Sequence, residues 1–417
     1  MTNNVHSPDQ KPTLPVEFWV ALVGVSLFAM GLTILLPIVP LYITDHLDAP
    51  RQWIGTATLA VAFTAVSTRI PGGALSDNLG RRRIMLIGAL LGLVGTALYL
   101  VSWNVAIFLI ARTMSGISLG LYTTANKALI ADLAPPTRRG EAMGLSNSAF
   151  SLALIISPLL GEGIKNAISF QAVFALNGVL TFGALIITLA LPKTRPVRDA
   201  GRSTRLDISD TLHERGSWAA IILMLGLGSV LALMFSLYPQ IAEDKDLFAD
   251  SPGFLSAVAM SLGISIWATV DTLIEPVAGR VSDRLGRQPV VAPGLVITVI
   301  GVFMLSQAAT TLATYLAVAV MAAGWGIARA VADSMAQDAV APMVRGMGAA
   351  ILYTGFDIAV GANAQGLVFL IDGTDFSNLF LAVIVLVAVF GAAGTLLSSR
   401  LLPYEQRELA RQPASAD

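Results

Sequence analysis

The chain has 417 residues, of which 55% are hydrophobic and 13% are charged, and its formal net charge is −1. A soluble domain carries about 25% charged residues and its core stops growing at about 250–300 residues, so this much apolar sequence needs lipid as its solvent. The near-neutral net charge gives no indication of a nucleic-acid partner, and the absence of cysteine excludes disulfides and thiolate chemistry.

Twelve stretches are apolar enough to cross a bilayer as helices, which takes about 20 residues each. In chain order they cover 16–43, 52–76, 84–103, 105–131, 140–163, 168–192, 217–241, 253–279, 289–308, 311–337, 345–370 and 377–401. The first stretch lacks a small-residue cleavage site, so we interpret it as a span and not as a signal peptide. We number these stretches span 1 to span 12, and they predict an all-α membrane protein.

The longest polar stretch, 193–216, lies between spans 6 and 7 and carries six basic residues. We therefore expect an N-terminal six-helix bundle over 1–192, a cytoplasmic linker over 193–216 and a C-terminal bundle over 217–417. With the N-terminus in the cytoplasm, 19 Lys and Arg fall on cytoplasmic segments and three on outer loops. Basic residues favour the cytoplasmic side, so we expect both termini there and the protein in the inner (cytoplasmic) membrane.

One segment recurs after 206 residues. The sequence from Gly73 through Asp77 and Gly80 to Arg81 returns as the sequence from Gly279 through Asp283 and Gly286 to Arg287. Glycines allow tight turns and close helix approach, and an aspartate at a helix end pairs well with arginine. The repeat predicts two six-span halves in parallel orientation.

The first copy, Gly73-x-x-x-Asp77-x-x-Gly80-Arg81-x-Arg83, resembles the signature loop of the Major Facilitator Superfamily (MFS). The resemblance implies the MFS fold, with twelve transmembrane helices in two pseudo-symmetric six-helix bundles. It also implies that both loops act as gates that stabilise one conformer, with Arg69 nearby as a further gating residue. The alternative interpretation is a plain basic hairpin. In the second copy Pro289 replaces the final basic residue.

Three further elements resemble the drug:proton antiporter branch of that family. They are Gly31 followed by Pro37-Ile-Val-Pro40 in span 1, Arg112-Thr-Met-Ser-Gly116 in span 4, and Ser157-Pro158-Leu-Leu-Gly161-Glu162 in span 5. The resemblance implies a part in proton coupling for Arg112. In span 5 the branch has Gly-Pro-x-x-Gly-Gly, so Ser157 and Glu162 depart from its pattern.

Ionisable residues inside the spans are the main functional signal, because each costs several kcal/mol in hydrocarbon and such residues face a bundle interior. They are Arg69, Arg112, Lys127, Glu162, Asp271, Glu275, Arg329, Asp333 and Asp357. Residues four apart share a helix face, which aligns Trp267 with Asp271 and Glu275, Trp325 with Arg329 and Asp333, and Tyr353 with Asp357. The 206-residue offset also maps Arg69 onto Glu275 and Lys127 onto Asp333, so we hypothesise complementary charges across a cavity.

No histidine lies in a span, so carboxylates must carry protons if the coupling ion is H⁺. The proton-coupling candidates are Asp271, Asp357 and Glu275, together with Arg112. The substrate-binding candidates are Arg329, Asp333, Lys127, Trp267, Trp325, Tyr353, Phe356 and Tyr122, since rings beside carboxylates suit a lipophilic cation. Structural alternatives are that Glu275 anchors the neighbouring loop, that Arg69 pairs within it, that Glu162 reaches water, and that the rings only pack helices.

The chain has no phosphate-binding Gly-x-x-x-x-Gly-Lys-Ser/Thr motif and no two-histidine metal spacing, so the sequence predicts no enzyme, no cofactor and no metal. We expect a secondary transporter, functional as a monomer, that exports a small amphiphilic or drug-like compound in exchange for protons. One alternative is a proton-coupled transporter of a specific metabolite, such as a sugar, a lipid or a metal-chelating small acid. A non-transporting sensor on the same fold is the other.

Overall fold

A computed structural model describes residues 13–135, 139–193, 215–252, 255, 258–338, 345–371 and 375–398. Within these ranges, the side chains at 70, 77, 139–141, 215–217, 336–338 and 345–353 are not described. The expected linker 193–216 therefore lies almost wholly outside the described residues. The twelve stretches predicted as spans are helical in the part of the chain that the structure describes.

The N-terminal half contains spans 1 to 6. Span 1 is built from the helices Val16–Thr33 and Ile38–Leu41 and a π-helical turn, Tyr42–His46. Contrary to the sequence prediction, one histidine, His46, therefore lies in a span, at its far end. Spans 2 to 6 are the helices Gln52–Leu79, Arg81–Leu100, Val105–Leu133, Arg139–Ala167 and Phe170–Ala190.

The C-terminal half repeats this arrangement. Span 7 consists of Arg215–Ala232, a π-helical turn at Leu233–Leu237, and Tyr238–Asp244. Spans 8 to 12 are the helices Ala259–Leu285, Gln288–Gln307, Thr311–Asp338, Arg345–Val368 and Ser377–Ser398.

Nine helices among the described residues are long and apolar enough to cross a membrane. The other three long helices are spans 2, 8 and 11. These three carry ionisable residues within their length, namely Arg69 on span 2, Asp271 and Glu275 on span 8, and Asp357 on span 11. On spans 2 and 8 these side chains lower the hydropathy, span 11 is described with its side chains only over 354–368, and the same side chains build the site described below.

Spans 2 and 8 extend beyond the predicted ends at 76 and 279, and each stops at a glycine of the repeat. Gly80 and Gly286 adopt φ angles of 98° and 92°, a left-handed conformation that glycine reaches without a Cβ clash. Polar residues continue each helix past its apolar stretch until that glycine ends it. Most of the repeated segment therefore lies on the helices and not in a loop.

Spans 1 and 7 are interrupted where a single helix was predicted. Pro37 and Pro40 follow the break after Thr33, and Pro239 follows the π-helical turn at Leu233–Leu237. Proline removes a backbone donor and its ring collides with the preceding turn, so the helix widens or breaks there.

The two halves pack against each other at one end of the molecule. We call the end with the repeated segments Gly73–Arg83 and Gly279–Arg287 the loop end, and the opposite end the far end. One apolar core fills the C-terminal half and continues into the far end of the N-terminal half, through Ile34, Tyr42 and Phe174. The loop end of the N-terminal half has a separate core around Phe28 and Tyr122.

Candidate functional site

Arg329 on span 10 forms the centre of a charged cluster in the C-terminal half. Its guanidinium lies 2.6 Å from Glu275 Oε2, 3.3 Å from Asp271 Oδ2 and 3.5 Å from Asp333 Oδ2. The Arg329 side chain is only 13% exposed. A guanidinium has five donors in a planar fork, which lets one arginine hold several carboxylates. Three acids around one base leave a negative surplus on this face.

Three aromatic rings lie behind the charged cluster and form its apolar floor. Arg329 Cζ is 5.0 Å from the centroid of the Trp325 ring, and the rings of Trp267 and Phe356 lie 5.3 and 6.2 Å from that ring. Trp325 Nε1 donates to the carbonyl of Leu227 on span 7, which fixes the orientation of the ring. The floor thus joins spans 7, 8, 10 and 11.

A second group of charges connects the two halves in mid-bundle. Arg69 on span 2 forms an ion pair with Asp357 on span 11, and both side chains are about a quarter exposed. Lys127 on span 4 is accessible to solvent although protein surrounds it, and it interacts electrostatically with Asp333, Asp357 and Arg69. Such a position is typical of a residue that lines an internal wet chamber. The central set therefore contains four carboxylates and three bases.

The far end is closed by polar contacts between the halves. Arg51 pairs with Asp244 at 2.6 Å, and the hydroxyl oxygens of Thr58 and Ser236 are 2.9 Å apart. Spans 2 and 11 also pack so closely that a Cβ on Gly55 would lie 2.6 Å from the Cα of Gln365. We call this set of contacts the far-end seam.

A comparison with protein families assigns the chain. The model for the Major Facilitator Superfamily matches residues 21–362 and 249–417, which together cover nearly the whole sequence. The chain belongs to the Major Facilitator Superfamily.

Individual relatives of this facilitator are distant. An uncharacterized MFS-type transporter of Methanocaldococcus jannaschii is 25% identical over 357 residues, which is 84% of this chain and 90% of that protein. The quinolone resistance protein NorA of Staphylococcus aureus is 25% identical over 236 residues, 55% of this chain, and the match spans 59% of NorA. The crystal structure of the nucleoside transporter NupG (D323A mutant) superimposes with a TM-score of 0.75 at 13% identity, over 92% of this chain and 100% of NupG.

These matches confirm the predicted fold class, an all-α membrane protein with the MFS fold. The facilitator is a multi-pass membrane transporter of small molecules and not an enzyme. Its central set of charges lies between the two halves, where a transported molecule has to pass in this architecture. In the part of the chain that the structure describes, no three His, Asp or Glu side chains are grouped to hold a metal ion.

The two signature segments of the facilitator have the same internal geometry. Arg81 donates to the hydroxyl of Ser76 at 3.1 Å, and Arg287 donates to the hydroxyl of Ser282 at 2.7 Å. Both contacts pin the arginine that follows the turn to the last turn of the preceding helix, so the repeat extends to individual contacts.

Each of these arginines also has an acidic partner among the described residues. Arg81 pairs with Asp132 on span 4 at 3.1 Å, and Arg287 pairs with Asp283 on its own segment at 2.6 Å. Arg83 is exposed. The Asp77 side chain lies outside the described residues. Around Gly73 the nearest atom to an added Cβ would be Thr124 of span 4, and around Gly279 there is open space.

Two residues expected at the site lie elsewhere, and a third is not described. The Tyr122 ring stacks on Phe28 at 4.1 Å and its hydroxyl lies 3.2 Å from that of Thr188, inside the N-terminal half. Arg112 is buried and donates to the carbonyl of Ala57 at 3.3 Å, about 22 Å along span 4 from Lys127. The Tyr353 side chain lies outside the described residues.

Gly326 is a site residue that the sequence did not single out. A Cβ at this position would lie 2.7 Å from Asp271 Oδ1, so the missing side chain makes room for the carboxylate between spans 8 and 10. Gly326 precedes Arg329 by nearly one helical turn, which places this space directly beside the guanidinium. A glycine three residues before a buried arginine was the signal available in the sequence.

Proposed function

We propose that this facilitator exports small amphiphilic or drug-like compounds in exchange for protons by alternating access. The observation that carries the proposal is the central set of four carboxylates and three bases between the halves, placed over an aromatic floor. The set contains one more carboxylate than bases, so it can bind one proton or one monovalent cationic group.

The proposed proton carriers are Asp271, Asp357 and Glu275. Asp271 and Glu275 share the Arg329 guanidinium, and Asp357 shares its surroundings with Arg69 and Lys127. Protonating one carboxylate weakens its ion pair and frees part of the cation for another partner. Proton binding and substrate binding then compete for the same groups, which is the requirement for exchange.

The proposed substrate contacts are the aromatic floor together with the charged rim. Large rings favour apolar contact and attract cations, whereas Arg329 and Lys127 attract an anionic group. An amphiphile that carries a charged group fits both features. NorA, whose name describes quinolone resistance, is a relative over about half of this chain.

We place the loop end in the cytoplasm, because the basic residues concentrate there, and both termini with it. The closed far-end seam then faces outwards. A single chain contains both halves, so we propose that the monomer is the functional unit in the inner membrane.

Replacing Asp271 with Asn should abolish proton exchange while the protein stays folded. The amide keeps the size of the carboxylate and removes its ability to bind and release a proton. The measurement is proton flux in proteoliposomes across a panel of lipophilic cations, zwitterions and anions, for wild type and Asp271→Asn. We expect compound-driven proton flux only in the wild type, whereas unchanged coupled flux in the variant would remove Asp271 as a proton carrier.

The same panel addresses the metabolite transporter that is the second candidate. The observation that favours it is the presence of bases in the central set, of which Arg329 and Lys127 suit a substrate with an acidic group. Flux driven by one small acid or sugar, and by none of the lipophilic compounds, would favour a dedicated metabolite transporter.

A further inference from the structure

Glu162 makes the most deeply buried acidic contact between the two halves of the transporter that the structure describes. It lies near the far end of span 5 and is 5% exposed. Its Oε2 accepts a hydrogen bond of 2.5 Å from the backbone N–H of Ser261, the third residue of span 8. The carboxylate of one bundle thus lies on the helix N-terminus of the other.

Among the residues that the structure describes, span 8 provides no capping side chain for this N-terminus. The first four N–H groups of a helix have no partner within the helix, and the N-terminus carries a partial positive charge that stabilises an anion. The residue at the N-cap position is Val258, whose side chain makes no capping hydrogen bond. Glu162 therefore supplies from the opposite half the cap that span 8 does not provide for itself.

A second contact joins the same two helices. Ser265, one turn further along span 8, donates from Oγ to the carbonyl of Ile155 on span 5 at 2.6 Å. Neither contact survives if the far ends of the halves separate, because span 5 moves with one half and span 8 with the other. The link between spans 5 and 8 is therefore part of the far-end seam.

We propose that Glu162 is a positioning residue of the transport cycle. It closes the far end by capping span 8 from the opposite half. Asp271 lies ten residues beyond Ser261, about 15 Å along the same helix. Release of the cap accordingly frees the helix that carries a central carboxylate. This role requires neither proton coupling nor a particular substrate, so it goes beyond the function proposed above.

The test measures how often the far end is open. The chain has no cysteine, so spin labels on Ile168→Cys and Ala309→Cys, both at exposed far-end positions on opposite halves, report one distance without background. Electron–electron resonance on the full-length protein in nanodiscs then gives the ratio of open to closed far ends. A second pair, Asn78→Cys and Arg284→Cys, reports the loop end in the same way.

Glu162→Ala should raise the open-to-closed ratio at the far end about tenfold, as expected for loss of a hydrogen bond to a charged group. Glu162→Gln keeps an acceptor oxygen without the charge and should give a ratio between those of the alanine variant and wild type. The matched control is Asp246→Asn, which removes the charge of an exposed far-end carboxylate and should leave the ratio unchanged.

The proposal is overturned if Glu162→Ala folds with the wild-type distance distribution. If the alanine variant does not fold, Glu162→Gln decides, and a wild-type ratio in that variant overturns the proposal as well. Transport assays add a second readout when the maximal rate of Glu162→Gln is divided by the amount of folded protein, because loss of folded protein alone lowers the uncorrected maximal rate at unchanged KM. No proton gradient enters the distance measurement, so its result stands apart from that of the proton-flux experiment.

Discussion

A disulfide formed between Thr58→Cys and Ser236→Cys is expected to stop transport, and its reduction is expected to restore it. The two native hydroxyl oxygens are 2.9 Å apart, on span 2 of one half and span 7 of the other. A disulfide needs Cβ atoms about 3.5–4.5 Å apart, a range that this close contact makes reachable. The bond would hold the far-end seam closed, so a bound molecule would be exposed to one side only.

The expected effect is large because a covalent bond outlasts any transport cycle. We expect the transport rate of the oxidised double variant to fall to about a hundredth of its rate after the disulfide is reduced. This factor is equivalent to about 3 kcal/mol in an equilibrium. The measurement is compound efflux from proteoliposomes before and after reduction.

The matched control is a disulfide within one half, between Thr33→Cys and Ser157→Cys. Their hydroxyl oxygens are 2.5 Å apart, and spans 1 and 5 both belong to the N-terminal half. If the halves move as rigid units, this bond leaves transport intact. Full activity of the oxidised Thr58→Cys/Ser236→Cys protein would show that the far end does not need to open.

Arg329→Gln is expected to inactivate the transporter and to lower its stability. The substitution leaves Asp271, Glu275 and Asp333 together without the cation that lies 2.6–3.5 Å from them. Removing one partner of a buried ion pair costs about 3–5 kcal/mol, because the remaining charge stays in a poorly solvated place. The measurements are thermal unfolding in detergent and compound efflux.

Two comparisons identify the cause of that effect. Arg280→Gln removes an exposed arginine near the loop end of span 8 and should change stability little. Adding Glu275→Gln to Arg329→Gln removes one of the stranded charges and should recover part of the stability. Acidification should reduce the difference in stability between Arg329→Gln and wild type, because protonated carboxylates no longer repel one another. A stability difference that stays constant from neutral to acidic pH would contradict the charge argument.

Much of the fold follows from the sequence because lipid leaves few alternatives. A spanning segment must satisfy its backbone hydrogen bonds internally, so twelve apolar stretches lead directly to twelve helices. The repeat also extends to backbone conformation, since Gly80 and Gly286 end equivalent helices with the same left-handed backbone. The breaks in spans 1 and 7 were missed, although Pro37 and Pro239 are visible, because membrane helices often tolerate proline without a break.

The site was less predictable, because spacing along one helix does not say which face meets which neighbour. The one-turn spacing of Asp271 and Glu275 indicates a shared face, but it does not identify Arg329 as the residue opposite. Tyr122 lies five residues before Lys127, which turns its side chain about 140° away and into the N-terminal core. The offset maps Arg69 onto Glu275, yet Arg69 forms its ion pair with Asp357.

The far-end seam was also beyond the reach of the sequence. Thr58, Ser236 and Ser261 are ordinary small polar residues, and each gains its role from a partner on the opposite half. Glu162 stood out as a departure from the family pattern, with water as its expected surroundings. Its burial against span 8 depends on how two bundles meet, which no local pattern encodes.

The central claim is that the charged residues line a chamber between the halves that opens to one side at a time. The most direct test is labelling of Lys127→Cys by a membrane-impermeant maleimide in protein whose far end is locked by the Thr58→Cys/Ser236→Cys disulfide. Arg83→Cys, at an exposed loop-end position, marks the loop side in parallel samples. We predict that Lys127→Cys reacts from the loop side and not from the far side. Reaction from the far side, or none from the loop side, would contradict the account.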